Sequence, residues 1–242
     1  MYSTSSSLSP PARSQQPLWR YFPYERLLDL LESEELFFTH LPAFSDGLEG
    51  ALTKRSRDRL FHWFYERNND AATAHHEVDL YEKHQEAFYA SCWHMNSAES
   101  YLMWKAYAYE NRGFAVRTTF ERAQAAFEPF SGAVTGGMVQ YVDFEREDTQ
   151  LGNVFNHVIT KDLPYTDERE FRFLLWRNDP ANLQVSFDPK GVRVRVDLPM
   201  LIERIVVNPL TKKIPSELRA VLERKQIGCP IEPSQVNDRG AL

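Results

Sequence analysis

The segment Glu168-Arg169-Glu170-Phe171-Arg172-Phe173-Leu174-Leu175-Trp176 constrains the fold more than any other stretch of the chain. From Phe171 onward it is apolar except for Arg172, which suits a strand held inside a sheet rather than at its edge. Side chains alternate across a strand. If the strand starts near Tyr165, Glu168, Glu170 and Arg172 share one face, with Phe171 and Phe173 on the other. Two carboxylates and a guanidinium in a row on a buried strand fit an active site. They also fit an ordinary ladder of ion pairs facing water.

The rest of the chain must supply neighbours for that strand. Leu18–Phe22 and Leu36–Thr39 have strand composition, and Pro23 opens a helix between them with Leu27, Leu28, Leu30 and Leu31 on its apolar side. Residues 52–86 are helical and highly charged, interrupted at Asn68-Asn69-Asp70. Phe88–Trp93 is a strand, and Tyr101, Trp104, Lys105 and Ala108 keep helical spacing up to Gly113. Phe114–Thr118 alternates, and Thr118 with Glu121 has the spacing of a capping box. Later, Met138–Phe144, Phe171–Trp176, Leu183–Phe187, Val192–Val196 and Ile205–Val207 are strand candidates, followed by a helix over 215–225. Helices interleaved with strands early and strands dominating late predict an α+β fold, with a mixed, largely antiparallel sheet flanked by helices.

At 242 residues and 43% hydrophobic, the chain has material for one sizeable core. Residues 1–17 are rich in Ser and Pro and are expected to form a disordered tail, leaving 18–242 as a single domain. No apolar run reaches membrane-spanning length, and the first residues lack the apolar centre of a secretory signal, so no membrane association is expected. Two distant cysteines, Cys92 and Cys229, fit a reducing cytoplasm, with Cys92 as a buried thiol. The net charge of −6 argues against a general nucleic-acid coat and leaves room for a local basic groove.

Several chemistries are excluded by their missing motifs. Gly132, Gly136 and Gly137 lack the Lys-Ser/Thr ending of a phosphate loop, and no G-x-S-x-G elbow occurs. His75, His76 and His84 form no complete ligand set and suit a solvated helix, so no metal is predicted there. Three places remain. Arg20, between Trp19 and Tyr21, suits a grip on a phosphate or carboxylate, or a structural ion pair. Ser45, Asp46 and Glu49 lie in a Gly-containing turn that suits a ligand contact or a helix cap. Trp104 and Tyr107 belong to an aromatic stripe that is either core or a stacking platform.

Taken in order, Leu18-Trp19-Arg20-Tyr21, Phe44-Ser45-Asp46-Gly47-Leu48-Glu49-Gly50, Met103-Trp104-Lys105-Ala106-Tyr107, Glu168-Arg169-Glu170-Phe171-Arg172 and Arg204-Ile205-Val206-Val207-Asn208-Pro209 resemble the bacterial family called domain of unknown function 2971. Its members show an aromatic-Lys/Arg-Tyr start, an Asn-Asp-Pro-Phe-Glu turn, a Met-Trp-x-x-Tyr helix and a late Glu-x-Glu-x-Arg strand. The chain departs at the turn, with Ser45 for Asn and Gly47 for Pro. The layout is similar to that of ADP-ribosyltransferase-like proteins. The resemblance implies an NAD-using enzyme, with NAD or a related nucleotide as substrate, a macromolecular acceptor and a setting in bacterial defence or toxin systems. It places Glu170 and Glu168 as catalytic carboxylates, and Arg20, Ser45, Asp46, Glu49, Trp104, Tyr107 and Arg172 around the nucleotide. Two other readings stay open. One is a metal-dependent nuclease using Asp46, Glu49, Glu168 and Glu170 with Lys161 near the scissile phosphate. The other is a non-catalytic binding module.

Overall fold

The computed structural model describes residues 1–44, 47–108, 113–211 and 214–236. Pro17–Phe22 (β1) leads through Pro23 into helix Tyr24–Ser33 (α1), which ends where Glu34 turns left-handed at φ 55°. Glu35–His40 (β2) follows, and then a helical hairpin of Lys54–Asn68 (α2) and Ala71–Glu82 (α3). The chain returns as Phe88–Met95 (β3), Tyr101–Tyr107 (α4), Phe114–Thr119 (β4) and Phe120–Ala125 (α5). Next come Thr135–Met138 (β5), Gln140–Val142 (β6), Val154–Val158 (α6), Thr160–Asp162 (β7) and Glu170–Trp176 (β8). Gly191–Arg195 (β9), Leu198–Leu201 (α7), Arg204–Val207 (β10), Ser216–Arg224 (α8) and Ile231–Pro233 (β11) complete it. The fold is α+β, built on a mixed and mostly antiparallel sheet.

The order β11-β10-β4-β1-β3-β2-β9 hides a break. β8 pairs with β3 along its length, from Phe88↔Trp176 to His94↔Glu170. Both β1 and β2 therefore share the opposite edge of β3. β1 holds it at Trp19↔His94 and Leu18↔Met95, and β2 at Thr39↔Ala90 and His40↔Tyr89. Among the described residues Ser91, Cys92 and Trp93 have no strand beside them on that edge, so β1 and β2 diverge around a slit.

One face of the sheet carries the main core. Leu18, Phe22, Phe38, Trp93, Phe171 and Phe173 pack there against Leu27 and Leu31 of α1, Phe120 and Ala123 of α5, and Leu218 and Val221 of α8. The other face has two smaller apolar clusters. One gathers Trp19, Tyr21, Met103 and Trp104; the other gathers Phe88, Ala90, Val158 and Leu174. The polar site lies between them.

Four expectations change. Residues 1–17 are not laid out as a loose tail: Ser3 N–H donates to Val134 O, Met138 N–H donates to Ser9 O, and Leu8 is buried. Backbone pairing along the free side of β5 is invisible to composition, and it covers an edge that would otherwise invite foreign strands. The cap of α5 is Thr119, whose side chain accepts from Arg122 N–H, one residue beyond the expected Thr118. The Met138–Phe144 run divides at Val139, and its second half pairs in parallel with β7 in a separate two-stranded sheet. Leu183–Phe187 forms no strand; a 3-10 turn at Pro180–Asn182 precedes it, and the Asn182 amide is bound to Ala133 and Trp176.

Candidate active site

β8 begins at Glu170, not at Tyr165. Asp162 caps a 3-10 turn over Leu163–Glu168, with Pro164 in its first positions, and Arg169 then adopts a left-handed conformation at φ 41°. That conformation is uncommon outside glycine. Strict alternation would have put Glu168 and Glu170 side by side along a strand. The kink at Arg169 instead brings both carboxylates onto one lysine.

Lys161, central in β7, is the hub. Its Nζ lies 2.6 Å from Glu168, 3.1 Å from Glu49 and 3.5 Å from Glu170. Arg172 stands behind, with its guanidinium 2.6 Å from Glu49 and 2.8 Å from Glu170, and also donates to Val158 O. Glu49 reaches this centre from the turn before α2. Gly50 follows at φ 74°, and a Cβ there would meet the Gln85 side chain at 2.8 Å, so the turn requires glycine. Three carboxylates and two cations leave the cluster one negative charge in excess.

Environment divides the roles of the two late glutamates. Burial raises the Glu170 pKa, but Arg172 and Lys161 outweigh it and hold the group below the usual range. Glu168 moves the other way: burial and the charge of Glu170 raise its pKa against the pull of Lys161. Tyr107 O–H donates to Glu168 at 3.1 Å. Burial works against the charge of Lys161, yet Glu170, Glu49 and Glu168 together raise its pKa.

Arg20 approaches from the other side of the slit. In register, Trp19, His94 and Glu170 share a face, so Arg20 belongs to the opposite one. It donates to Ser91 Oγ at 2.5 Å and to Phe37 O at 3.2 Å, and its guanidinium carbon lies 5.3 Å from the Phe22 ring centre. Among the described residues no carboxylate lies within ion-pair distance. Burial and then the nearby Arg26 lower its pKa to about 10, partly offset by Cys92, so it stays charged at neutral pH. Cys92 lies between the two ends of the slit, and burial followed by Glu170 pushes its thiol up, keeping it uncharged.

A cavity of about 400 Å³ runs through the slit, touching Arg20, Cys92, His94, Tyr107, Lys161, Tyr165, Glu49, Glu168 and Glu170. The structure thus gathers Arg20, Glu49, Tyr107, Glu168 and Glu170 at one cavity. Arg172 supports the wall from behind. Trp104 is a correction: it is fully buried, packs edge-on against Tyr21 at 4.9 Å and donates to Glu99, so it belongs to the core. Three residues further along α4, Tyr107 turns to the cavity. Ser45 and Asp46 lie outside the described residues. The sequence reading missed His94 altogether: its Nδ1 is 2.6 Å from Glu168 O, and its buried Nε2 has no hydrogen-bond partner among the described residues. Its parity with Cys92 in β3 was the available signal.

Among the described residues no group of three or more His, Cys, Asp or Glu is arranged to hold a metal ion, and the Lys161 ammonium stands among the three carboxylates where a cation would bind. Nor is any helix there long and apolar enough to cross a membrane. Set against known proteins, the chain matches no family model, no curated protein and no solved structure.

Proposed function

We propose that the slit binds a nucleotide of the NAD class and breaks its nicotinamide–ribose bond, passing ADP-ribose to water or to a macromolecular acceptor. The observation that carries this reading is a half-buried guanidinium with no carboxylate partner among the described residues, at one end of a cavity whose other end holds excess negative charge. A bound anion such as a phosphate would compensate Arg20. The negative end would face the cationic half of the ligand.

In the step itself, the C–N bond breaks and its electron pair moves onto the pyridinium nitrogen, releasing neutral nicotinamide. The ribose is left as an oxocarbenium ion. A preorganised carboxylate stabilises that charge as it develops. Glu168 fits this position better than Glu170, because both meet Lys161 but Glu170 is also paired with the Arg172 guanidinium at 2.8 Å. The attacking oxygen bonds to the anomeric carbon, and its proton passes to Glu168, whose basicity burial and the charge of Glu170 raise. Lys161 and the Tyr107 hydroxyl fix the carboxylate. A place in bacterial defence, or as a toxin effector, rests on the family resemblance alone. The nuclease reading is weaker, since a divalent ion would have to displace Lys161 from between the carboxylates.

The test is turnover of NAD labelled in its nicotinamide and adenine halves, with cell lysate as acceptor source. Release of nicotinamide by the wild type, lost in Glu168→Gln, is the expected result. Absence of both binding and turnover, with magnesium-dependent cleavage of RNA or DNA instead, would replace this reading with the nuclease one.

A further inference from the structure

The hairpin of α2 and α3 leaves the sheet between β2 and β3 and has a small core of its own. Leu60 and Val78 are buried there, with Phe61, Phe64 and Tyr81 against them. Its outer surface is therefore free of the packing demands that fix the rest of the molecule. In a chain of net charge −6, α2 carries Lys54, Arg55, Arg57, Arg59 and Arg67 against only Asp58 and Glu66.

These cations are not scattered. Arg55, Arg59, Trp63 and Arg67 are each four residues apart and form one ridge along the helix, with steps of about 6 Å. All four are exposed. Lys54 and Arg57 lie off the ridge and are engaged, with Glu145 and with Glu82 and Asp79. On the ridge, Arg59 has a loose partner in Asp148 at 3.7 Å and donates to Thr149 O. Among the described residues Arg55 and Arg67 have no carboxylate partner. The Arg67 guanidinium instead lies 4.5 Å from the centre of the Trp63 ring. Trp63 is 49% exposed, a large loss for an indole unless something covers it. The neighbouring ridge carries Asp58, His62 and Glu66, so one side of the helix favours anions and the next repels them.

We propose that this ridge docks a single strand of nucleic acid. Arg55 and Arg59 meet successive backbone phosphates. Trp63, 49% exposed and with its ring edge-on to Phe64 at 4.7 Å, stacks its exposed part on an unpaired base, and the acidic ridge confines the strand to one side. Cations interleaved with an exposed aromatic are the combination such strands require, since every base offers a π-face and every linkage a charge. A stable protein interface would need a wider apolar centre than a single indole between arginines. A duplex hides its bases from Trp63.

Fluorescence anisotropy of the full chain with labelled 12-nucleotide single strands of RNA and DNA tests this, beside the matching duplex and polyglutamate. Single strands should bind best, with a log–log salt slope of about −1.4 for two phosphates. Trp63→Ala should weaken binding about tenfold or more. The Arg55→Ala, Arg67→Ala double variant should weaken it by at least as much and flatten the salt slope, while Lys54→Ala leaves it unchanged. Circular dichroism should show all variants folded. No single-strand binding at 100-micromolar-scale protein in low salt would overturn the proposal. So would binding indifferent to Trp63→Ala, or polyglutamate binding as tight as the nucleic acid, which points to an acidic protein partner instead.

Discussion

Arg172 is fully buried and Arg20 half-buried, both beside the same slit, and their surroundings could hardly differ more. Arg172 has Glu49 and Glu170 within 2.8 Å, and their pull outweighs burial and raises its pKa. Arg20 has a hydroxyl and a carbonyl for company, and burial lowers its pKa to about 10. A buried charge is tolerated when paired and costly when not. Arg172 is part of the scaffold that aims the carboxylates. Arg20 is a half-buried cation set against the Phe22 and Trp93 rings with no carboxylate partner among the described residues, which leaves it available to an anion in the proposed function.

Stability measurements can break this contrast most directly. Arg172→Met leaves two buried carboxylates short of a partner and should cost about 3–5 kcal/mol in urea unfolding. Arg20→Met removes an uncompensated charge, while Trp93 Nε1 still donates to Ser91 Oγ, so the change should stay within about 1 kcal/mol of zero. Equal losses in the two variants would mean that Arg20 is structural. The next largest effect concerns the carboxylates. Glu168→Gln should lower the rate of NAD cleavage about 100-fold with little change in stability. Glu170→Gln should lose activity and stability together, because it is tied to Arg172 and Lys161. If Glu170→Gln alone removed activity, the roles given to the pair would be reversed.

The regular elements of the fold were legible because their patterns are local. Pro23 and the leucines of α1, the aromatic composition of β1, the alternation in β9 and the apolar run of β8 each declare an element within a few residues. The slit was not legible. It arises because β1 and β2 each hold only a short stretch at opposite ends of β3, and no local pattern encodes how far two strands diverge. Parity alone would have put Arg20 and Glu170 on opposite faces with nothing between them. For the same reason Lys161 entered only the nuclease reading, near a scissile phosphate, and not as the partner of three carboxylates that come from segments up to 112 residues away. Leu8 was hidden in a segment whose composition suggested disorder.

The two glutamates also predict opposite pH behaviour, a smaller effect that sharpens the contrast between scaffold and site. Glu168, facing Glu170, Lys161 and Tyr107, has a folded pKa above the ordinary value of 4.5, so the folded state holds its proton more tightly than the unfolded chain does. Its contribution to stability therefore declines as pH rises from that value through the raised one. Glu170, with its lowered pKa, contributes stability that is present above the ordinary value and lost as pH falls through the lowered one. Urea unfolding at a series of pH values should show the Glu168→Gln variant without the first slope and with the second intact. The cleavage rate should rise with pH through the raised pKa of Glu168. An acid limb at or below the ordinary glutamate range would assign the proton to another group.

The smallest effect isolates Arg20 from the chemistry. Pyrophosphate carries the anion expected at that end of the slit and lacks the ribose and ring that would report on the other end. At about ten times its Kd it should stabilise the folded protein by about 1.4 kcal/mol, which is about 3–5 °C in melting temperature for a chain of this size. Potassium chloride at matched ionic strength should give no comparable shift, because screening does not depend on a built site. Arg20→Met should abolish the pyrophosphate shift, since it removes the guanidinium that lies beside Ser91 in the slit wall. Glu168→Gln should keep it, because that carboxylate belongs to the opposite end of the cavity. A shift that survives in Arg20→Met would place the anion elsewhere, on Arg26 or on the basic ridge of α2, and the contrast between the two arginines would lose its functional meaning.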